Sequence, residues 1–159
     1  MKKLWIIPLF IILVSGCISG AGVQSGDTVK VDYWLTIGGE MIQTTEDSQP
    51  IAFTVGRGEV VPGFDSAVLG MSPGQEKSVT LTPDQAYGEI DQENIIETFS
   101  KDLPENITVG ETITATDESG MTRLVTILEI KNDTALLDFN HPLAGKTLEF
   151  RIILVEIVE

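Results

Sequence analysis

The chain carries a single histidine, His141, and a single cysteine, Cys17. With one imidazole, no His cluster for a metal can be assembled, and no Ser-His-Asp arrangement is read around it. His141 precedes Pro142 in a loop and reads as a local hydrogen-bonding residue. One cysteine excludes any disulfide within the chain. Gly56-Arg57-Gly58 lacks a third glycine at Val61, so it is not a dinucleotide fingerprint. No Gly-Lys-Ser/Thr follows it, so it is not a phosphate loop either. The acidic run Asp91-Gln92-Glu93-Asn94 does not match a calcium loop and reads as a solvated helix start. No cofactor and no metal are expected, and nucleophilic or metal-assisted chemistry has no residues to run on.

The elements that must position any site are mostly strands. Val29, Val31, Tyr33, Leu35 and Ile37 alternate with Lys30, Asp32, Trp34 and Thr36, which predicts a strand with one buried face over 28–37. Gly38-Gly39 predicts a turn and 41–45 a returning strand. A short strand follows over 51–55. Pro62 to Leu69 predicts a short helix, opened by proline and closed before Gly70, burying Phe64, Val68 and Leu69. Lys77, Val79 and Leu81 mark another strand. After Gly88 the texture changes: Glu89 to Asp138 holds 12 acidic and 3 basic residues. This stretch predicts a helix near 92–100 and strands near 112–116, 123–131 and 134–138, the last two joined by a hairpin turn at Asn132-Asp133. Thr147 to Val158 predicts a long closing strand with Leu148, Phe150, Ile152 and Leu154 on one face. A terminal strand with one apolar face must return to the first sheet to be covered.

The first residues read as a targeting segment. Lys2 and Lys3 precede eleven apolar residues, Leu4 to Val14. That run is short of the about 20 residues a spanning helix needs, and it suits the core of a secretory signal. Leu13-Val14-Ser15-Gly16-Cys17 resembles the lipobox of prokaryotic lipoproteins, which implies lipidation of Cys17 and an extracytoplasmic, membrane-anchored location. Residues 18–26, rich in Gly and Ser, then read as a flexible tether. The net charge of −14 offers no basic footprint, so nucleic acid is excluded as a partner.

Three ordered blocks carry a more specific likeness. They are Val55-Gly56-Arg57-Gly58-Glu59-Val60-Val61-Pro62-Gly63-Phe64-Asp65; Gly70-Met71-Ser72-Pro73-Gly74-Gln75-Glu76-Lys77 running to Pro83-Asp84-Gln85-Ala86-Tyr87-Gly88; and Asp138-Phe139-Asn140-His141-Pro142-Leu143-Ala144-Gly145-Lys146-Thr147-Leu148. Together they resemble FKBP-type prolyl isomerases, specifically the SlyD-like branch. The likeness covers residues 26–159 and implies an α+β, mostly β fold: a twisted antiparallel half-barrel around a short helix, with a small α+β insert-in-flap domain. It implies a catalytic domain from 27–88 and 139–159, and an inserted substrate-capturing, chaperone-like domain over 89–138. It implies an apolar cavity with Phe64 as floor, Tyr33, Val60, Val61 and Phe150 as walls, Leu143 at the rim and Ile42 on the substrate side. The Tyr87 hydroxyl and the Val61 N–H would hold substrate carbonyls. Phe53 reads as ordinary core.

The implied activity is peptidyl-prolyl cis-trans isomerisation, on unfolded or partly folded proline-containing polypeptides, by a monomer. Rotation about an X–Pro bond breaks no covalent bond, which agrees with the missing nucleophiles and metals. The sequence departs from the family pattern at Gln43, where many members have Asp, at Ile42, where many have Phe, and at Phe64, where the best-known members have Trp. Gln43 and Ile42 keep a second reading open: a membrane-tethered holdase chaperone with little isomerase activity.

Overall fold

The computed structural model describes residues 22–116 and 120–158. Residues 1–17, read above as a signal segment ending at a lipidated Cys17, lie outside them. Nine strands and one α-helix follow in order: β1 (Thr28–Ile37), β2 (Glu40–Thr44), β3 (Ile51–Thr54), α1 (Pro62–Val68), β4 (Glu76–Leu81), β5 (Ile95–Phe99), β6 (Thr112–Thr116), β7 (Thr122–Ile130), β8 (Thr134–Asp138) and β9 (Leu148–Val158). They form two antiparallel sheets. The first runs β2-β1-β9-β4, with β3 also paired to β1; the second runs β5-β8-β7-β6. Among the described residues the fold is mostly β, as the sequence pattern predicts, with a single α-helix.

The alternation in β1 and β9 sets the first core. Val29, Val31, Tyr33 and Leu35 from β1 meet Leu148, Phe150, Ile152 and Leu154 from β9, all buried. The two strands are direct neighbours, with Tyr33 opposite Ile152 and Leu35 opposite Phe150. The helix α1 covers this face with Phe64, Ala67 and Val68. Pro62 opens it at the position where a missing N–H is harmless. Lys77 Nζ donates to the Ala67 carbonyl at 2.8 Å, a cation at the end where carbonyls are unpaired. Leu69, expected on the buried face, is exposed: the helix stops at Val68, and Leu69 takes an extended conformation that turns it outward. Ala67 and Met71 fill the place assigned to it.

The helix lies close on β4. A Cβ added at Gly63 would sit 2.5 Å from the Leu81 side chain and 3.0 Å from the Gln85 carbonyl oxygen.

Two expectations are corrected. The helix expected near 92–100 is a single 3₁₀ turn, Gln92–Asn94, followed by the strand β5. The Asp91 carboxylate accepts the Glu93 N–H and starts the turn. Ile95, Ile96, Thr98 and Phe99 are then β-branched or aromatic, types that pack on a pleated surface, and β5 pairs along β8. The tether expected over 18–26 does not extend to its last residues. Val23 is buried, its N–H donates to the Met71 carbonyl and its carbonyl accepts the Gly70 N–H. An apolar side chain with a vacant backbone partner at the end of α1 is held there, whatever its glycine-rich neighbours suggest.

The second sheet comes entirely from residues 95–138 and has its own small core of Val125, Ile127, Ala135 and Leu137. The chain leaves the first sheet after Gly88 and re-enters at Phe139. Both crossings are tied together by Asn140. Its amide brackets the Asp91 backbone, accepting the N–H at 3.0 Å and donating to the carbonyl at 2.9 Å, as a neighbouring strand would. It also donates to Asp138 Oδ1. The Gly145 N–H donates to the Gly88 carbonyl alongside.

Substituting Gly63→Ala should force Leu81 or the helix aside. We expect a loss of about 1–3 kcal/mol in stability, the range for overpacking a tight contact, read as a lower urea midpoint with an unchanged slope.

Candidate active site

Four aromatic rings gather between α1 and the first sheet. Phe64 is their centre. Its ring lies 5.8 Å from Tyr33, 5.1 Å from Phe150 and 5.8 Å from Phe53, in edge-to-face arrangements. Such geometry sets the positive edge of one ring against the negative face of another. Above the cluster opens a cavity of about 150 Å³, lined by Tyr33, Leu35, Gln43, Ile51, Glu59, Val60, Val61, Phe64, Tyr87 and Phe150.

Each lining element is fixed by a local device. Tyr33 is held through its backbone: Thr45 Oγ1 accepts the Tyr33 N–H at 2.9 Å and donates to Asp32 Oδ1. Thr45 is buried and fully satisfied by these bonds and by its own N–H to the Tyr33 carbonyl. Val60 and Val61 ride on the loop before α1. Gly56 and Gly58 take positive φ there, 86° and 71°, a region that glycine enters without strain. The Asp65 carboxylate accepts the Gly56 N–H through both oxygens, and Glu59 accepts the Thr54 N–H. Val61 is the N-cap of α1; its carbonyl accepts from Phe64 and Asp65, which leaves its own N–H outside the helical ladder. Tyr87 follows a 3₁₀ turn, Pro83–Gln85, whose start is closed by Thr82 and Gln85 in a capping box.

The site is buried at its base and exposed at its rim. Burial, reinforced by the nearby Tyr87 phenol, pushes the Tyr33 hydroxyl above its ordinary pKa. It stays protonated, and thus a hydrogen-bond donor, throughout the neutral range. Tyr87 is 39% exposed at the mouth. Its ring stacks on His141 with centroids 3.8 Å apart and planes within 2°. His141 Nδ1 in turn accepts the Leu143 N–H at 3.1 Å, as a local hydrogen-bonding residue should.

Six of the residues expected at the site, Tyr33, Val60, Val61, Phe64, Tyr87 and Phe150, line this one cavity. Ile42 does not, and the reason is a bulge. Leu35 faces Gln43 and Thr36 faces Met41, so Ile42 is the extra residue between them and is exposed. Gln43, opposite Leu35, takes the inward place. Leu143 packs half-buried against the first core and does not line the cavity. Phe53 is core, as expected, and touches the floor ring. Leu35 and Ile51 also line the cavity. Leu35 was legible from its alternation with Tyr33, whereas the contribution of Glu59 depends on how its loop curls.

A second hollow, of about 330 Å³, lies on the other sheet, lined by Asn94, Ile96, Ala115, Thr116, Met121, Arg123 and Phe139. It is larger, but Phe139 is the one aromatic ring in its lining and no tyrosine is among the lining residues, so it is not the candidate for bond rotation. Among the described residues no cluster of His, Cys, Asp or Glu could hold a metal.

Residues 20–155 match the family model for FKBP-type peptidyl-prolyl cis-trans isomerases. The chain belongs to that family. A short-type peptidyl-prolyl cis-trans isomerase of Methanocaldococcus jannaschii is 36% identical over 149 residues, 82% of this chain and 90% of the relative. An FKBP-type isomerase of Treponema pallidum named SlyD is 37% identical over 128 residues, covering 78% and 72%. An FKBP-type 16 kDa isomerase of Escherichia coli is 33% identical over 144 residues, covering 85% and 93%. In this FKBP chain the bounds of the family match enclose both sheets.

Exposure separates the roles open to two of the lining residues. Phe64→Ala should cost about 3–5 kcal/mol of stability, as truncating a buried aromatic does. Tyr87→Phe, at the exposed mouth and with its ring kept, should stay within about 0.5 kcal/mol. Denaturant melts of the two variants test this contrast.

Proposed function

We propose that this protein accelerates cis-trans isomerisation of X–Pro bonds during the folding of exported proteins, with residues 89–138 capturing the unfolded chain. The observation that carries the reading is the convergence of Tyr33, Val60, Val61, Phe64, Tyr87 and Phe150 on one aromatic-floored cavity in a chain of this family.

Amide resonance resists rotation by about 18–20 kcal/mol. At the twisted geometry the amide has lost that resonance and its charge separation. A cavity with apolar walls therefore binds the twisted form in preference to the planar one. Each 1.36 kcal/mol of that preference is worth about tenfold in rate. Phe64, Phe150, Tyr33 and Val60 supply the apolar surface. Tyr87 at the mouth and the Val61 N–H beside the helix would hold carbonyls on either side of the rotating bond. The proline ring is the apolar body that a cavity of about 150 Å³ suits.

The role of residues 89–138 is supported by what the second sheet leaves uncovered. Ile96, Phe99, Leu124, Leu128 and Ile130 are exposed there, while among the described residues four form its buried core. An unfolded chain presents the apolar segments that such a surface would hold. Lipidation of Cys17 would keep the protein at the membrane surface, outside the cytoplasm, where exported chains emerge. A second reading, a tethered holdase with little isomerase activity, is favoured by one observation: Gln43 brings an amide into the cavity lining, where a polar group weakens the case for a dry site.

Two substrates decide between them. The protein should accelerate isomerisation of a short X–Pro peptide and, more strongly, the proline-limited refolding of a protein. Deleting residues 89–138, with Gly88 joined to Phe139, should keep the peptide activity and abolish the preference for protein. Suppressed aggregation with no acceleration of either substrate would replace the isomerase by the holdase. Separately, Cys17→Ser should release the protein from the membrane fraction; membrane retention of that variant would refute the lipid anchor.

A further inference from the structure

We infer that His141 is a positioning residue for the isomerase reaction: its imidazole holds the Tyr87 ring in the orientation that points the hydroxyl into the cavity. The inference rests on the isomerase reading above and adds a residue that this reading does not use.

The need for such a device follows from where Tyr87 sits. It lines the cavity yet is 39% exposed, and the residue after it, Gly88, has a φ of 82° in the region where the chain turns sharply. A tyrosine at an exposed turn has several staggered rotamers open to it. Only some of them bring the hydroxyl over the aromatic floor. A hydrogen bond from a hydroxyl that must first be oriented loses part of its worth to the entropy of ordering it.

The imidazole of His141 removes that freedom. It lies parallel to the Tyr87 ring, 3.8 Å between centroids and 2° between planes, and so covers one face of it. His141 is in turn held on both sides. Its Nδ1 accepts the Leu143 N–H at 3.1 Å, and its carbonyl accepts the Ala144 N–H at 2.8 Å. Leu143 packs against the first core, and the Gly145 N–H donates to the Gly88 carbonyl at 2.8 Å, next to Tyr87 itself. The stack therefore joins two segments far apart in sequence that the backbone already brings together. An Nδ1 that accepts leaves the proton on Nε2, so the ring is neutral. Although His141 is exposed at its edge, the covered face is desolvated, and this moves its pKa below the ordinary value, in the direction that keeps the neutral ring.

His141 is not itself a lining residue of the cavity and stacks on one that is, so its effect passes through Tyr87. This dependence is testable by a double-mutant cycle on the full chain, with kcat/KM measured on a short X–Pro peptide. Tyr87→Phe should lower kcat/KM by up to about tenfold, the value of one oriented hydrogen bond. His141→Ala should lower it by a similar factor in the parent chain and cause no further loss in the Tyr87→Phe background. His141→Phe, which keeps an aromatic face without the Nδ1 acceptor, should restore most of the activity; it also guards against a His141→Ala variant that fails to fold. The inference is overturned by parent-like activity of His141→Ala, by an equal loss in both backgrounds, by His141→Phe being as impaired as His141→Ala, or by an inert Tyr87→Phe. A parent chain with no peptide activity overturns the isomerase reading as well, so the two failures are distinguishable.

Discussion

Phe64 is the residue on which the rest of the first unit closes. Its ring meets Tyr33 from β1, Phe150 from β9 and Phe53 from β3, so a single side chain from α1 joins three strands. The helix is only seven residues long, too short to be stable by propensity, and it exists because its buried face is covered. The same ring is the floor of the cavity. Stability and binding surface are therefore not separable here: the contact that docks the helix also fixes the width of the site.

Around that floor, the adjustable parts are loops with their own internal bonds. Asp65 and Glu59 anchor the loop that carries Val60 and Val61. Thr45 locks the backbone at Tyr33. Tyr87 depends on contacts with the segment by which the chain returns from the second sheet. The mouth of the cavity thus lies beside the junction where Asn140 grips Asp91 and Asp138. On the outer face of the first sheet, Arg151 stacks on Trp34 and pairs through two nitrogens with Glu76, which raises the Arg151 pKa and lowers that of Glu76. That cluster ties β1, β9 and β4 from the solvent side, and the core contacts tie them from within.

Strands with strict alternation were legible in the sequence. In β1 and β9 every second residue is apolar, and burial follows this pattern from Val29 to Leu35 and from Leu148 to Leu154. The six cavity residues found together were read by matching whole motifs, because periodicity marks Phe64 or Phe150 only as core. What was not legible depends on register or on partners distant in sequence. A bulge between Leu35 and Thr36 decides that Gln43 faces inward and Ile42 outward. Val23 is buried because Gly70 and Met71 offer it backbone partners, and nothing in its glycine-rich surroundings announces this. The stretch after Asp91 has a helix-like start and a strand's side chains; pairing with β8 settles it as a strand.

The strand order has a consequence for when the molecule can fold. β9, formed by the last residues of the chain, lies between β1 and β4 in the first sheet. Until it arrives, those two strands have no common neighbour, and the floor ring lacks Phe150. The pairing of Thr28 with Val158 joins nearly the first described residue to the last. A topology so dominated by distant contacts folds late, because the ends must meet before the contacts reward it. While a chain of this design is being made, the first sheet cannot close before β9 is available. Until then the edges of β1 and β4 that flank the gap stay unpaired, and that part of the chain remains threadable.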